Sequence, residues 1–255
     1  QGVSMGGKVF DGTSDFDQNA IDELLDDVNN KILKGTGIEC IPVGSAATPT
    51  PGKRSGDLDV IVDAKAVMSY FNSKNAKEGK QALSDFIQQK GYNTAVIGTN
   101  VHVQMPLGTY SHQLDIMVVD NAPTIAKFHT HDIPQGSRYK GIHKQLVIAK
   151  LAKDKGMLWS AWKGLFTRNA SGKAGDFISS DLDEIAKTLI GPNAVGADLG
   201  SYESIMAKLP KPIADKIEAE LMQDDKFAPK ESLMTLADKN HNRIVELINR
   251  LADSR

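Results

Sequence analysis

Three aspartates and one glycine-serine pair are the residues whose types and spacing invite chemistry. In "VGSAATPTPGKRSGDLDVIVD", residues 43 to 63, Asp57 and Asp59 stand at alternate positions at the head of an apolar run. Alternate residues of a strand project to the same side, so the two carboxylates share one small space. Like charges that close resist joint ionisation unless a cation lies between them. Mg²⁺ is the natural candidate, with Mn²⁺ an acceptable substitute, because hard divalent ions take carboxylate oxygens together with substrate phosphates. A third acid, Asp115, opens the run "DIMVVD" and joins the pair if the two strands are neighbours. Three convergent carboxylates suit two metal ions, which activate an attacking hydroxyl and spread the charge of an in-line phosphoryl substitution. The suggested chemistry is nucleotidyl transfer, with Asp57, Asp59 and Asp115 as both metal ligands and catalytic residues.

The glycine-serine pair fits the same chemistry. Glycine lets a backbone approach a phosphate closely, and the Ser45 hydroxyl beside Gly44 can hold a triphosphate tail. Lys53 and Arg54, in the connection that follows, can neutralise that polyanion, or serve as ordinary solvated loop charges.

Elements must bring these residues together. The spacing of Ile21, Leu24, Leu25, Val28, Ile32 and Leu33 predicts an amphipathic helix over Asp17–Lys34, with an acidic outer face of Asp22, Glu23, Asp26 and Asp27 that is read as solvated. Short apolar runs predict strands at Ile38–Val43, Leu58–Val62, Val96–Ile97, Val101–Met105 and Leu114–Val119, with turns at Gly98-Thr99-Asn100 and Pro106-Leu107-Gly108. A helix over Ala76–Lys90 crosses this strand-rich unit. After Pro123 the pattern turns mainly helical, at Gly141–Lys155, Ser180–Leu189, Tyr202–Leu209, Ile213–Met222 and Lys230–Leu251. Ser180 and Asp183 read as a capping box, and Gly191-Pro192 as the stop of that helix. The fold class expected is α+β: a small mixed sheet carrying the acids, then a helical region.

Composition sets limits on the rest. With 255 residues, 40% of them hydrophobic, the chain can bury a sizeable core as one large domain or two small ones. A formal net charge of -2 excludes a surface coated in positive charge, so any nucleic-acid contact is local. The single Cys40 rules out an intramolecular disulfide and a multi-cysteine zinc cluster, and it reads as a small apolar residue. No run has the length or apolarity to span a bilayer, and no membrane association is expected. The location expected is cytoplasmic.

Other candidates have weaker patterns. Trp159, Trp162 and Phe166 can stack on bases, but core packing is their simpler use. His129 and His131 in "FHTHD" lack a third ligand at metal-binding spacing, and His102 and His112 read as solvent or strand-edge residues. The basic stretch Arg138 to Lys155 can contact phosphates of a primer, or its lysines can rim a buried helix.

Taken together, G-S, a spacer, D-h-D-h and a distant h-D-h strand resemble the signature of the DNA polymerase β-like nucleotidyltransferase superfamily. "RYKGIHKQLVIAKLAKDKG" and the following "LWSAWKGLF" and "ISSDLDEIAKTLIGP" look like palm-to-thumb segments of the family X DNA polymerases, so the resemblance spans roughly residues 38 to 195. It implies a nucleotidyltransferase palm over residues 1–130 with an N-terminal helix, and a thumb-like region with a helical C-terminus over 131–255. It also implies that Gly44 and Ser45 grip triphosphate, that the three aspartates bind two Mg²⁺, and that Tyr139 and Gly141 lie against the nucleotide's sugar and base. The implied activity is transfer of NMP from an NTP or dNTP to a hydroxyl, a nucleic-acid 3′ end in the first instance, with release of pyrophosphate. A protein, tRNA or small-molecule acceptor is the alternative, and a catalytically silent module of the same fold a further one. The chain departs from the family X pattern in three places. The residues before Ile38 are too few and too acidic to form a DNA-gripping helix-hairpin-helix region, the spacer after Ser45 is long and proline-containing, and Gln145 replaces the usual asparagine. Oligomeric state has no signature in the sequence.

Overall fold

The computed structural model describes residues 8–224, together with Phe227 and Ile244. Its centre is a mixed five-stranded sheet ordered Ile41–Pro42, Asp57–Asp63, Tyr110–Val119, Asn100–Leu107, Asn93–Ile97. The pair Asp57–Asp63 and Tyr110–Val119 runs parallel, and every other pairing in this sheet is antiparallel. The parallel pair needs a long crossover, which the helices Ala64–Phe71 and Ala76–Gln89 supply.

Alternation along the two parallel strands decides what each face does. Leu58, Val60, Val62, Leu114, Ile116 and Val118 point into one core, which the crossover helices and the N-terminal helix cover with Val67, Leu83, Ile87, Ile21 and Leu24. Ile61, Met117 and Val119 point the other way, into a second core with Val147, Ile148 and Leu151 of helix Gly141–Asp154 and Phe128 of helix Ala122–Phe128. Asp57, Asp59 and Asp115 share the face of that second core but lie nearer the strand starts. One end of the face is therefore apolar and covered, and the other is acidic and only half-buried at Asp57 and Asp59. The second core continues through Leu165, Ile185, Leu189 and Ile205, so residues from both halves of the chain build it.

Most expected elements are present with shifted ends. The N-terminal helix is shorter than Asp17–Lys34: Asp17 accepts from Asn19 N–H as a cap, a 3₁₀ turn follows, the α-helix spans Ile21–Asp27, and a π-helical turn spans Val28–Ile32. The strand expected over Ile38–Val43 contracts to Ile41–Pro42, where Pro42 has no N–H to extend the ladder. The turn expected at Pro106-Leu107-Gly108 falls at Gly108-Thr109 instead. Pro106 is tolerated in the strand because the neighbour Asn93–Ile97 pairs only as far as Gln104, leaving Pro106 on a free edge. Helices Ala64–Phe71 and Ala122–Phe128 had no counterpart in the reading of the sequence.

The second half is less purely helical than its pattern suggests. It contains a three-stranded antiparallel sheet of Met157–Ser160, Gly164–Arg168 and Ala174–Ser179, followed by helices Leu182–Leu189, Tyr202–Lys208 and Lys211–Leu221. Asp181, not Ser180, caps the first of these helices by accepting from Glu184 N–H at 2.9 Å. The helix expected over Lys230–Leu251 lies outside the described residues. No helix among those described is long and apolar enough to cross a membrane.

Candidate active site

Register places the acids in rows across the sheet. Asp59 lies directly beside Asp115 on the parallel neighbour, and Asp57 beside Gln113. One carboxylate oxygen from each of Asp57, Asp59 and Asp115 can be chosen so that all lie within 4.8 Å of one another. This all-oxygen, triply acidic donor set fits a hard divalent cation. The electrostatics agree, since burial and then the charges of Asp115 and Asp15 push Asp57 up to about 6, with His102 acting in the opposite direction. Burial, then Asp57 and Asp115, raise Asp59 well above the ordinary carboxylate range. A cation among the three removes the repulsion that holds these groups out of their ionised form.

The glycine-serine turn sits against the acids. Gly44 begins a 3₁₀ turn at φ +58°, where a Cβ would stand 3.6 Å from Asp59 Oδ2. Val43 N–H donates to the Asp59 carbonyl at 3.1 Å, which fixes the turn to the strand that carries the acids. Within the turn, Gly44 N–H donates to the His129 carbonyl, Ala46 N–H to Val43 and Ala47 N–H to Gly44. The Ser45 hydroxyl shares a 2.9 Å hydrogen bond with Ser55. Lys53 and Arg54 are exposed in the connecting segment, where Arg54–Ser55 forms a short strand paired with Phe16–Asp17 and the Arg54 guanidinium donates to the Asp15 carbonyl.

Two further expected residues have close protein neighbours of their own. Tyr139 is buried, its ring stacked at 3.9 Å on Tyr202. Gly141 opens its helix so close to His131 that a Cβ would stand 2.3 Å from the ring Nε2. In the basic stretch, Lys150 pairs with Asp154 and Glu220, while Lys144 is buried with its ammonium on the Thr130 carbonyl and is pushed down to about 8 by desolvation. Arg138, Lys140, Lys153 and Lys155 are exposed. Gln145 donates to the Phe128 carbonyl and accepts from the Trp159 indole, so it serves packing. Trp162 stacks at 4.3 Å on His129, and Phe166 meets Phe177 edge-on. Burial pushes the Cys40 thiol up to about 12, which removes it as a nucleophile at neutral pH.

The expectation that His102 and His112 are solvent or strand-edge residues is wrong. Both are buried, because the Tyr110–Val119 and Asn100–Leu107 strands are interior to the sheet. His102 lies opposite Asp115, its Nδ1 2.6 Å from Asp115 Oδ1, and Gln113 Nε2 donates to the same oxygen at 3.0 Å. One signal for His102 was available: it belongs to an alternating run, V-H-V-Q-M, and the register puts the polar members of that run on the face of the acids.

No family model matches this sequence, and no curated protein matches it. Among solved structures, it is similar to the Leishmania infantum polymerase β ternary P/T complex, at 15% identity and a TM-score of 0.45, covering 72% of this chain and 76% of that one. Likeness at that level leaves the reading of the site to its own geometry.

Proposed function

We propose that the chain is a metal-dependent nucleotidyltransferase of the polymerase β-like kind. The observation that carries the reading is the convergence of Asp57, Asp59 and Asp115 on one sheet face, directly beside the Gly44-Ser45 turn. In this reading Asp57, Asp59 and Asp115 would together hold the divalent metal, taken as two Mg²⁺ ions. When bound, the ions lower the pKa of the attacking hydroxyl and offset the charge that develops on the transferred phosphoryl group.

The chain's own residues do the remaining work. Ser45 and its amide, which has no protein partner among the described residues, orient the triphosphate, with Lys53 and Arg54 of the connecting segment as counter-charges. The turn keeps the α-phosphorus in line between acceptor and leaving group, which is the larger part of phosphoryl-transfer catalysis. The acceptor oxygen forms a bond to the α-phosphorus as the bond to the bridging oxygen breaks. Pyrophosphate leaves with that electron pair, and the hydroxyl proton passes to solvent.

The acceptor proposed is a nucleic-acid 3′ end, with the exposed cations of residues 138–155 as its phosphate contacts and Tyr139 and Gly141 bordering the nucleotide. Residues 1–130 carry the chemistry in this division, and residues 131–255 act as the thumb-like part. Incubation with α-labelled NTPs or dNTPs, Mg²⁺ or Mn²⁺, and a panel of primers, tRNA, proteins and small alcohols tests this. Labelled product that is abolished by EDTA and by Asp59→Asn supports the reading, and the labelled acceptor identifies the substrate. No product with any acceptor, and no metal-dependent binding of a non-hydrolysable NTP, would mean a silent module.

A further inference from the structure

His102 has no part in the chemistry above, yet it is the closest side-chain neighbour of one of the three acids. Asp115 is 3% exposed and His102 6% exposed, so water competes little for the bond between them. An ionised carboxylate only accepts, so the hydrogen lies on His102 Nδ1 and is donated to Oδ1. Gln113 adds a second donor to Oδ1 at 3.0 Å and reaches Oδ2 only at 3.3 Å. Oδ1 thus takes the two shorter contacts and Oδ2 only the longer one, so Oδ2 is the oxygen with more capacity left for a ligand.

This arrangement is not shared by the other two acids. Among the described residues, no side chain donates a hydrogen bond to Asp57 or Asp59. Three carboxylates packed this closely repel one another, and a carboxylate free to turn about its χ2 would swing away from the others. Asp115 alone is gripped from the side opposite the cluster, by a ring that the register of the two strands places directly across from it.

We propose that His102 is a positioning residue: by clamping Oδ1 through Nδ1–H it turns Asp115 Oδ2 toward the other two carboxylates and so sets the site's affinity for divalent metal. The inference rests on the nucleotidyltransferase reading only in taking the three acids as a metal site. A buried histidine that merely fills space predicts instead that any side chain of similar volume will serve.

Three substitutions separate these roles. The amide nitrogen of His102→Asn reaches the place of Nδ1, that of His102→Gln reaches the place of Nε2, and His102→Leu fills the space without a donor. Each is titrated with Mn²⁺ alone, followed calorimetrically, beside wild type and Asp57→Asn, and each is melted in EDTA. The expected result is that His102→Leu and His102→Gln bind Mn²⁺ roughly tenfold or more weakly, while His102→Asn keeps near-normal affinity. In the transfer assay kcat falls in the same order with the KM for NTP little changed. A folded His102→Leu protein with wild-type affinity, or a loss as large in His102→Asn as in His102→Gln, overturns the clamp. If His102→Leu does not fold, the Asn and Gln pair decides alone. Wild-type protein that binds no Mn²⁺, or binds it equally well after Asp57→Asn, refutes the metal site itself and the clamp with it; a metal site intact in wild type but indifferent to His102 refutes the clamp only.

Discussion

Asp59 carries a heavy electrostatic burden at the site, being half-buried, next to Asp57 and Asp115, and without a side-chain donor among the described residues. Replacing it by asparagine keeps the shape and removes one of three mutually repelling charges. The metal-free protein with Asp59→Asn should therefore be more stable than wild type at neutral pH, because burial and the two neighbouring carboxylates disfavour the ionised form. Paired thermal melts in EDTA measure this. The same change should abolish the stabilisation that Mn²⁺ gives wild type, about 2.7 kcal/mol at a hundredfold excess over Kd. His129 makes the opposite kind of prediction. Desolvation pushes it down to about 4, while its Nε2–H donates to the Ala161 carbonyl at 2.8 Å. Between about pH 4 and 6.5 the unfolded chain holds a proton there that the folded chain lacks, so stability is full above that window and is lost as pH falls through it. His129→Gln retains the donor and cannot titrate. Urea melts should show it losing less stability than wild type between pH 6.5 and 4; equal losses would refute the assignment. The aspartates were legible in the sequence because an alternating D-L-D pattern reports its own geometry. His102 was not, because its role comes from the partner across a strand pair thirteen residues away, and nothing within V-H-V announces which acid faces it.

Elements carry their own tests, and two glycines differ instructively. Gly44 has φ +58° with only Asp59 Oδ2 near a would-be Cβ, at 3.6 Å. Gly44→Ala should cost about 1 kcal/mol of backbone strain while leaving the fold intact, with a larger loss in NTP binding than in stability. Gly164 has φ +112° with the Ser179 carbonyl oxygen 2.6 Å from a Cβ, so Gly164→Ala adds a clash with backbone to the strain. It should be the more destabilising of the two by chemical denaturation, and reversal of that order would mean the second sheet yields easily. Helix and strand existence was legible wherever hydrophobic period was clear, as in Ala76–Gln89 and Asp57–Asp63. Ends were not, because capping is decided by side-chain bonds such as Asp17 to Asn19 and Asp181 to Glu184. The three-stranded sheet was hidden because its last strand, Ala174–Ser179, is almost wholly exposed and shows no alternation. Helix Ala122–Phe128 was hidden by Pro123, which at the start of a helix is favourable but reads as a break.

At the scale of the molecule, the acidic face of the main sheet is roofed at its apolar end by the second half of the chain. Ile61, Met117 and Val119 share one core with Val147, Leu151, Leu165 and Ile185. A fragment of residues 1–130 would expose that surface to water, at about 25 cal/mol per Å² of apolar area. It should fail to give a cooperative melt, while the intact chain gives one; a sharp, reversible transition for the fragment would refute this. The three acids thus stand on strands of the first half, while both halves build the core beside them, which periodicity within short windows could not reveal.

His129 stands at the seam between those halves. Its carbonyl receives the Gly44 amide, its ring donates to Ala161, and Trp162 lies flat against it. A loop whose shape depends on such a rivet has no independent life: any rocking of the C-terminal half is transmitted to the spot where a polyphosphate would be gripped. The mechanical link runs in both directions, so cargo settling on Ser45 would also stiffen the remote half of the molecule.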